Sequence, residues 1–454
     1  MNDVTLATAI DAYHALLDDA LAAESWGFLG DQLTRRGLWF GDRPLCNVLR
    51  PRLLTPAQHT VMRRATTGLL RAFDTLYRAA LIDPALRAQF GLTADEETLV
   101  TEDHGLWQGS PLSRLDAFFT ADATSVRFTE YNAETPAGAA YGDVLAELFV
   151  TLPVMREYQR RWQVRSMPAR PHTVNALLSS FHAWRGTREA PSIVILDWRD
   201  VPTYHEFVLY QQYFDGLGIP CRIADPRDCE YRGGTLYADG TPVNLIYKRV
   251  LISELLERGG GVDQPVVRAV RDRAACLVDG FRCKMLHKKA SLAVLSDETN
   301  AHLFSAAELA TIATHVPWTR VVNERKTTYA GRDVDLVAYM QEHRTQLVLK
   351  PNDEYGGTGI KLGWEEDDAS WAAAIAVALA SPYVVQERIH LPSEAFPSAV
   401  NDKLVIADRI VDTAPFCFDG RYTDGCLSRI STAALVNVTA GGGSTVPTFI
   451  VEPR

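Results

Sequence analysis

Leu349-Lys350-Pro351-Asn352-Asp353-Glu354-Tyr355-Gly356-Gly357-Thr358-Gly359-Ile360 joins the end of an apolar run to a lysine and then to a glycine-rich loop. Val348 and Leu349 read as the last buried residues of a strand, and Lys350 sets one ammonium at its edge. Gly356, Gly357 and Gly359 carry no Cβ, so backbone N–H groups of this loop can approach phosphate oxygens closely. The combination is that of a cradle for a nucleotide triphosphate. Further on, Tyr383-Val384-Val385-Gln386-Glu387 reads as a second strand with polar groups at its exit. Hydrolysis, ligation and simple binding all use such a loop, so the loop alone does not define a reaction.

Composition narrows the classes. A chain of 454 residues accommodates two or three domains at roughly 150 residues each. With 47% hydrophobic and 22% charged residues it is globular rather than disordered. The 46 basic and 56 acidic residues give 46 − 56 = −10, which argues against a broad phosphate-backbone footprint, so nucleic acid is not an expected partner. Seven scattered cysteines without a C-x-x-C pair read as reduced, buried thiols rather than a zinc site or a disulfide framework. Met1-Asn2-Asp3-Val4 lacks the start of a signal peptide, and no apolar run approaches the roughly 20 residues that span a bilayer. The expectation is a cytoplasmic protein with no membrane partner.

The first hundred residues carry helical periodicity. Leu6, Ile10, Tyr13, Leu17 and Leu21 fall on one face, and a second such segment runs from about Ala57 to Tyr77. Neither holds a chemical constellation, so both read as scaffold or as a lid. From Ser192 the pattern is α/β. Strands at Ser192–Asp197 and Pro220–Asp225 flank a helix over Thr203–Leu217, and a hairpin region around Gly233-Gly234 and Asp239-Gly240 delivers a strand at Asn244–Arg249. This predicts a small, partly parallel open sheet whose ligand edge lies at Asp197 and Arg249. Val316-Pro317-Trp318-Thr319 opens the last region, which ends in a glycine triplet at 441–443. No linker or internal repeat separates these parts, so they are expected to pack around one cleft.

A second constellation is Arg114-Leu115-Asp116, followed by Glu130-Tyr131-Asn132-Ala133-Glu134-Thr135-Pro136. Residues two apart on a strand share a face, so Arg114 and Asp116 can point together, as can Glu130 and Asn132. Asp116, Glu130 and Asn132 are hard oxygen donors of the kind Mg²⁺ takes when phosphate and water complete its shell. Arg114 beside them can brace a terminal phosphate. An exposed hairpin with a salt bridge and an Asx turn would use the same residues.

Together the two constellations resemble a circularly permuted ATP-grasp ligase of the kind that includes glutathionylspermidine synthase. In that group the metal-binding strands precede the nucleotide lysines, which is the order of Arg114–Asn132 and Lys350 here. The resemblance covers roughly Leu112 to the C-terminus. It implies that Asp116, Glu130 and Asn132 hold two Mg²⁺ ions, that Arg114 steadies the transferred phosphoryl group, and that ATP is bound. It further implies that Lys289, within Lys288-Lys289-Ala290, and Lys350 are the nucleotide lysines. Gly356, Gly357 and Gly359 would then close over the β- and γ-phosphates, and Gln386 and Glu387 would line the adenine and ribose edge. Arg429, in Arg429-Ile430-Ser431, is the matching contact to phosphate or acylphosphate, and Asn437 a weaker one. Lys248 and Arg249 are open between substrate-carboxylate contact and structural ion pairing, and isolated His104 and His205 read as structural.

The fold class this implies is mixed α/β (α+β), a permuted ATP-grasp fold with a small open α/β sheet domain and an N-terminal helical segment. The expected organisation is a helical segment over 1–105, the metal-binding part of the core over 106–190, the small α/β domain over 191–280 and the nucleotide-binding lobes over 281–454. The ligase and its helical preface use nearly all of the length, so no amidase domain is expected, and glutathione and polyamine are not carried over as substrates. The implied activity is ATP-dependent carboxylate–amine ligation through an acylphosphate, joining an amino acid or short peptide to an amine. A silent ATP-binding regulator and a small-molecule kinase are the competing readings.

Overall fold

The computed structural model describes residues 5–354, 356–400, 403–432 and 443–454. Its first helical periodicity is two helices rather than one, Leu6–His14 and Asp19–Arg35. Asp18 lies in extended backbone and its carboxylate accepts from the Leu21 N–H at 2.8 Å, so it caps a new helix where the apolar spacing alone continued the old one. The helix Pro56–Ile82 starts from a capping box between Thr55 and Gln58, with proline at its first position. Its buried Leu69, Phe73 and Leu76 share a core with Leu115, Phe119 and Phe128 of the central sheet.

That central sheet is antiparallel and has seven strands. Its order is Ser393–Val400, Lys403–Val411, Tyr422–Ser431, Ala414–Phe418, Leu112–Phe119 and Val126–Asn132, with Gly443–Val446 paired to Tyr422–Ser431. Strands far apart in the chain are thus neighbours: Phe416 pairs with Arg114 and Cys417 with Ser113. A smaller sheet joins the two ends of the chain. Arg52–Leu54 runs parallel to Thr448–Pro453, which pairs antiparallel with Trp162–Ser166.

The region from 192 forms a four-stranded parallel sheet in the order Cys276–Val278, Leu245–Lys248, Ile193–Leu196, Cys221–Ala224. Every residue of Ile193–Leu196 and Leu245–Lys248 is buried, as expected for strands covered on both faces. The order reverses between those two strands, and Asp197 and Arg249 stand just beyond their C-terminal ends. The turns Gly233-Gly234 and Asp239-Gly240 have positive φ at both residues, the two-residue geometry that suits hairpins, and they produce a three-stranded meander.

The glycine loop leaves a second four-stranded sheet, antiparallel, in the order Thr319–Val321, Tyr383–Glu387, Leu347–Pro351, Lys361–Leu362. Helices Leu336–Glu342 and Asp368–Ala380 cover one face through Met340, Trp371 and Ile375. Among the described residues no helix is long and apolar enough to cross a membrane.

Candidate functional site

The strands Leu112–Phe119 and Val126–Asn132 bring four polar side chains to one face. Arg114 pairs with Asn132 and Asp116 with Glu130 across the ladder. Strict alternation would not achieve this, because Val126 and Phe128 point into the helix-covered core and Glu130 and Asn132 have the same parity. A bulge resolves the conflict. Asp116 opposes Glu130 while Ala117 opposes Phe128, so Thr129 is an extra residue that switches the following side chains to the other face. The carbonyl of Thr129 accepts from Lys350 Nζ at 3.2 Å.

Asp116 is nearly enclosed, at 4% exposure, yet it is clamped by cations. Arg114 Nε donates to its Oδ1 at 2.8 Å, and Arg429 Nη2 to its Oδ2 at 2.7 Å. Burial opposes ionisation, but Arg114 and Arg429 outweigh it and hold the carboxyl well below the usual carboxylate range. Glu130 follows the same logic: burial opposes its charge, and Lys289 at 3.0 Å restores it. Asp412, fully buried, orients Arg429 by accepting from its Nε and its backbone N–H. Burial and the nearby Asp116 raise the Asp412 carboxyl above its ordinary value.

Two cavities meet at this wall. One, of about 460 Å³, extends from the ladder to the strand ends of the parallel sheet at Asp197, Trp198, Arg249 and Glu254. The other, of about 180 Å³, extends to Lys350, Gln386 and Glu387 of the glycine-loop sheet and to Trp364 in the turn after its edge strand. Asp116, Glu130, Gly356 and Arg429 line both.

Lys350 and Gln386 lie on one face of the glycine-loop sheet, and Lys350 Nζ donates to Gln386 Oε1 at 2.7 Å. Gln386 Nε2 donates to Thr319 Oγ1, so this glutamine side chain braces the lysine. Burial lowers the Lys350 ammonium from 10.5 to about 8, with Glu130 opposing the shift and Lys289 adding to it. Glu387 accepts from the Tyr329 hydroxyl at 3.1 Å. Gly356, Gly357 and Gly359 have φ of +66°, +80° and +69°, the left-handed region that glycine enters without strain. A Cβ on Gly359 would also stand 2.7 Å from Pro351 Cγ. Lys289 donates to the Glu354 carbonyl at the start of this loop, so ammonium and loop are in contact. Tyr355, Asn437, Gly441 and Gly442 lie outside the described residues.

The two adjacent lysines separate. Lys289 faces Glu130, whereas Lys288 turns into a buried ion cluster with Glu96 at 2.9 Å and Asp353 at 3.0 Å. Lys284 meets Glu96, Glu134 and Asp353 in the same cluster, and Lys248 lies 3.4 Å from Glu134. Three carboxylates thus face three ammoniums. Burial keeps neighbouring His287 neutral, its pKa lowered to about 4. Of the two open cases, Lys248 is therefore a structural ion. Arg249 Nη2 pairs with buried Glu206 at 3.2 Å, while its Nε has no partner in the structure and the residue lines the larger cavity. His104 Nε2 bonds the Leu99 carbonyl, a structural contact.

The donor set is compatible with Mg²⁺. Asp116 and Glu130 are ionised and lie opposite one another at the junction of the cavities, and Asn132, on the wall of the larger one, adds an amide oxygen. No three carboxylate, imidazole or thiol groups converge as a closed cage among the described residues. An open site that relies on an amide and on ligand oxygens has no such cage.

No protein-family model and no curated protein matches this sequence. Among solved structures, a glutathione synthetase-like effector from Globodera pallida, in its apo form, superposes with a TM-score of 0.61. The match covers 96% of this chain and 98% of that one at 12% identity. The two chains share a fold. The likeness spans the helical start, the parallel sheet and the glycine-loop sheet together, so it concerns the whole mixed α/β architecture.

Sequence reasoning did not find Asp412, Thr129 or the Glu134 cluster. Asp412 follows an ordinary strand, and its partner Arg429 is 17 positions away, with no local pattern linking them. Thr129 differs from its neighbours only in a backbone register. Glu134 stood in a quoted motif without a role, because its lysines come from Lys248 and Lys284, far along the chain.

Proposed function

We propose that the protein is a Mg-ATP-dependent carboxylate–amine ligase of the circularly permuted ATP-grasp type. The observation that carries this reading is the shared wall: Asp116, Glu130 and Arg429 line both a lysine-and-glycine cavity and a larger cavity over the parallel sheet. A phosphoryl donor on one side and an acceptor on the other would meet there. In this reading ATP occupies the smaller cavity, with Lys289 and Lys350 on its phosphates, Gln386 and Glu387 along its adenine and ribose edge, and the glycine loop over it. The four-part division of the chain at 105, 190 and 280 belongs to the same proposal.

The reaction has two steps. A substrate carboxylate oxygen attacks the γ-phosphorus and ADP leaves, giving an acylphosphate. An amine then attacks the acyl carbon, phosphate leaves, and the amine nitrogen loses a proton as the amide forms. Mg²⁺, held by Asp116, Glu130 and Asn132, would supply charge neutralisation between the phosphates. Arg114 and Arg429, fixed by Asp116 and Asp412, offer guanidinium hydrogen bonds to the equatorial phosphoryl oxygens, where charge spreads in the transition state. Lys289 and Lys350 offset charge on the leaving side. The glycine loop excludes water, which would otherwise hydrolyse the acylphosphate. No nucleophilic serine or cysteine is required.

The test is an ADP-release screen over amino acids, dipeptides and amines, with mass detection of the product. ADP formation that needs both a carboxylate and an amine supports ligation. Hydroxylamine trapping separates it from a kinase, because only an acylphosphate gives a hydroxamate. Binding of ATP with no ADP from any pair would mean a silent binder. Full turnover in Asp116→Ala would falsify the metal assignment.

A further inference from the structure

Asn352 is 5% exposed and stands two residues beyond Lys350, where the strand Leu347–Pro351 turns into the glycine loop. Each of its polar groups is engaged. Its backbone N–H donates to the Pro382 carbonyl at 3.0 Å, and its carbonyl accepts from the Lys289 N–H at 2.9 Å. Its side-chain Oδ1 accepts from the Ala290 N–H at 2.8 Å, and Nδ2 donates to the Phe90 carbonyl at 2.8 Å. The helix Ala290–Ser296 has no side-chain cap of its own, because Lys289 occupies the capping position. Asn352 therefore caps that helix from a different segment, satisfying an N–H that helix geometry leaves unpaired.

We propose that Asn352 is a positioning residue that sets the distance between Lys289 and Lys350 by tying the start of one lysine's helix to the end of the other lysine's strand. The assignment rests on the ligase reading, in which both lysines meet the nucleotide phosphates. The geometry supports it from both sides. Lys350 and Asn352 belong to one rigid stretch of backbone, and Lys289 and Ala290 are the two residues that Asn352 holds. The two ammoniums also converge on one target, since both act on the charge of Glu130. The bond to Phe90 ties the junction to the N-terminal helical layer. Asn352 itself touches no phosphate in this arrangement. It acts through Lys289.

Titration calorimetry with MgATP on the full chain tests this. Asn352→Ala removes both side-chain bonds and is expected to weaken MgATP about tenfold, the equivalent of one lost helix cap. In a Lys289→Ala background the same change is expected to weaken binding no further, since the residue through which it acts is gone. Asn352→Ser removes the donor to Phe90 and shortens the acceptor facing Ala290 without adding a charge, so it is expected to weaken binding by no more than the alanine does. A wild-type chain that binds MgATP and an Asn352→Ala variant that binds it equally well would overturn the assignment and leave the ligase reading standing. An Asn352→Ala loss that is undiminished without Lys289 would also overturn it. The same comparison made with Asn352→Ser, in the wild-type and Lys289→Ala backgrounds, stays decisive if Asn352→Ala does not fold. A wild-type chain that binds no MgATP would overturn the ligase reading and this assignment together.

Discussion

Burial of Lys350 beside Glu130 lowers its pKa from 10.5 to about 8, and this fixes the sign of a pH effect. The unfolded chain keeps its proton up to about 10.5, while the folded chain releases it near 8. Between those values the unfolded state binds more protons, so this group makes the unliganded protein more stable as pH rises through the window, by about 3 kcal/mol at most. Below pH 8 the charged ammonium is a constant cost to the fold. Denaturant titrations at pH 8 and pH 10 are expected to give a smaller alkaline loss, or a gain, in wild type relative to Lys350→Met. Asp412 carries a second prediction at this scale. It orients Arg429 through two hydrogen bonds and lies away from both cavities' walls. Asp412→Asn should keep the fold by circular dichroism and lower ADP release roughly tenfold to hundredfold, as loss of an orienting partner does.

At the scale of elements, the glycine loop and the bulged strand show what period and composition can reveal. Gly359 combines φ of +69° with a missing Cβ that would otherwise press on Pro351. Gly359→Ala must therefore move the loop. ATP-dependent turnover is expected to drop roughly tenfold or more while the thermal melt falls by only about 2–4 °C, because the strain is local to an exposed residue outside every core cluster. The strand, the lysine and the glycines of this element were legible because each leaves a local mark: apolar run, charge, absent side chain. The Arg114-Asp116 pair was legible for the same reason, since two-residue spacing shares a face on any strand. Glu130 and Asn132 reach that face only through the bulge at Thr129, and alternation from Val126 and Phe128 points them the wrong way. Nothing in the composition of Thr129 announces an extra residue. Likewise, apolar spacing continued the first helix through Leu17, but the Asp18 cap, a competing hydrogen bond, starts a new one. The parallel sheet was readable in outline, because Ile193–Leu196 and residues 245–247 are continuous apolar runs with turn residues between them.

Across the whole molecule the charged cluster around Glu134 is what joins the parts. Glu96 comes from the N-terminal helices, Glu134 from the loop after the bulged strand, Lys248 from the parallel sheet, and Asp353 from the root of the glycine loop. Such contacts between distant segments have no sequence signature. Burial makes the cluster sensitive to any imbalance. Glu134→Gln leaves Lys248 and Lys284 with one carboxylate fewer, and is expected to destabilise the protein by about 3–5 kcal/mol in denaturant unfolding, the scale of a broken buried pair. Because the cluster reaches four regions, the loss should appear as one cooperative transition at lower denaturant rather than as melting of a single lobe.

The sheet that unites Arg52–Leu54 with Thr448–Pro453 bears on how the chain is made. During synthesis, Leu53 and Leu54 leave the ribosome long before their partner strand has been translated. At ordinary rates of about 5–20 residues per second, the interval is roughly 20 to 80 s. For that time two leucines that are fully buried in the finished protein lack the strand that pairs with them, and the early strand keeps an open edge. That sheet is completed only after Thr448–Pro453 has emerged.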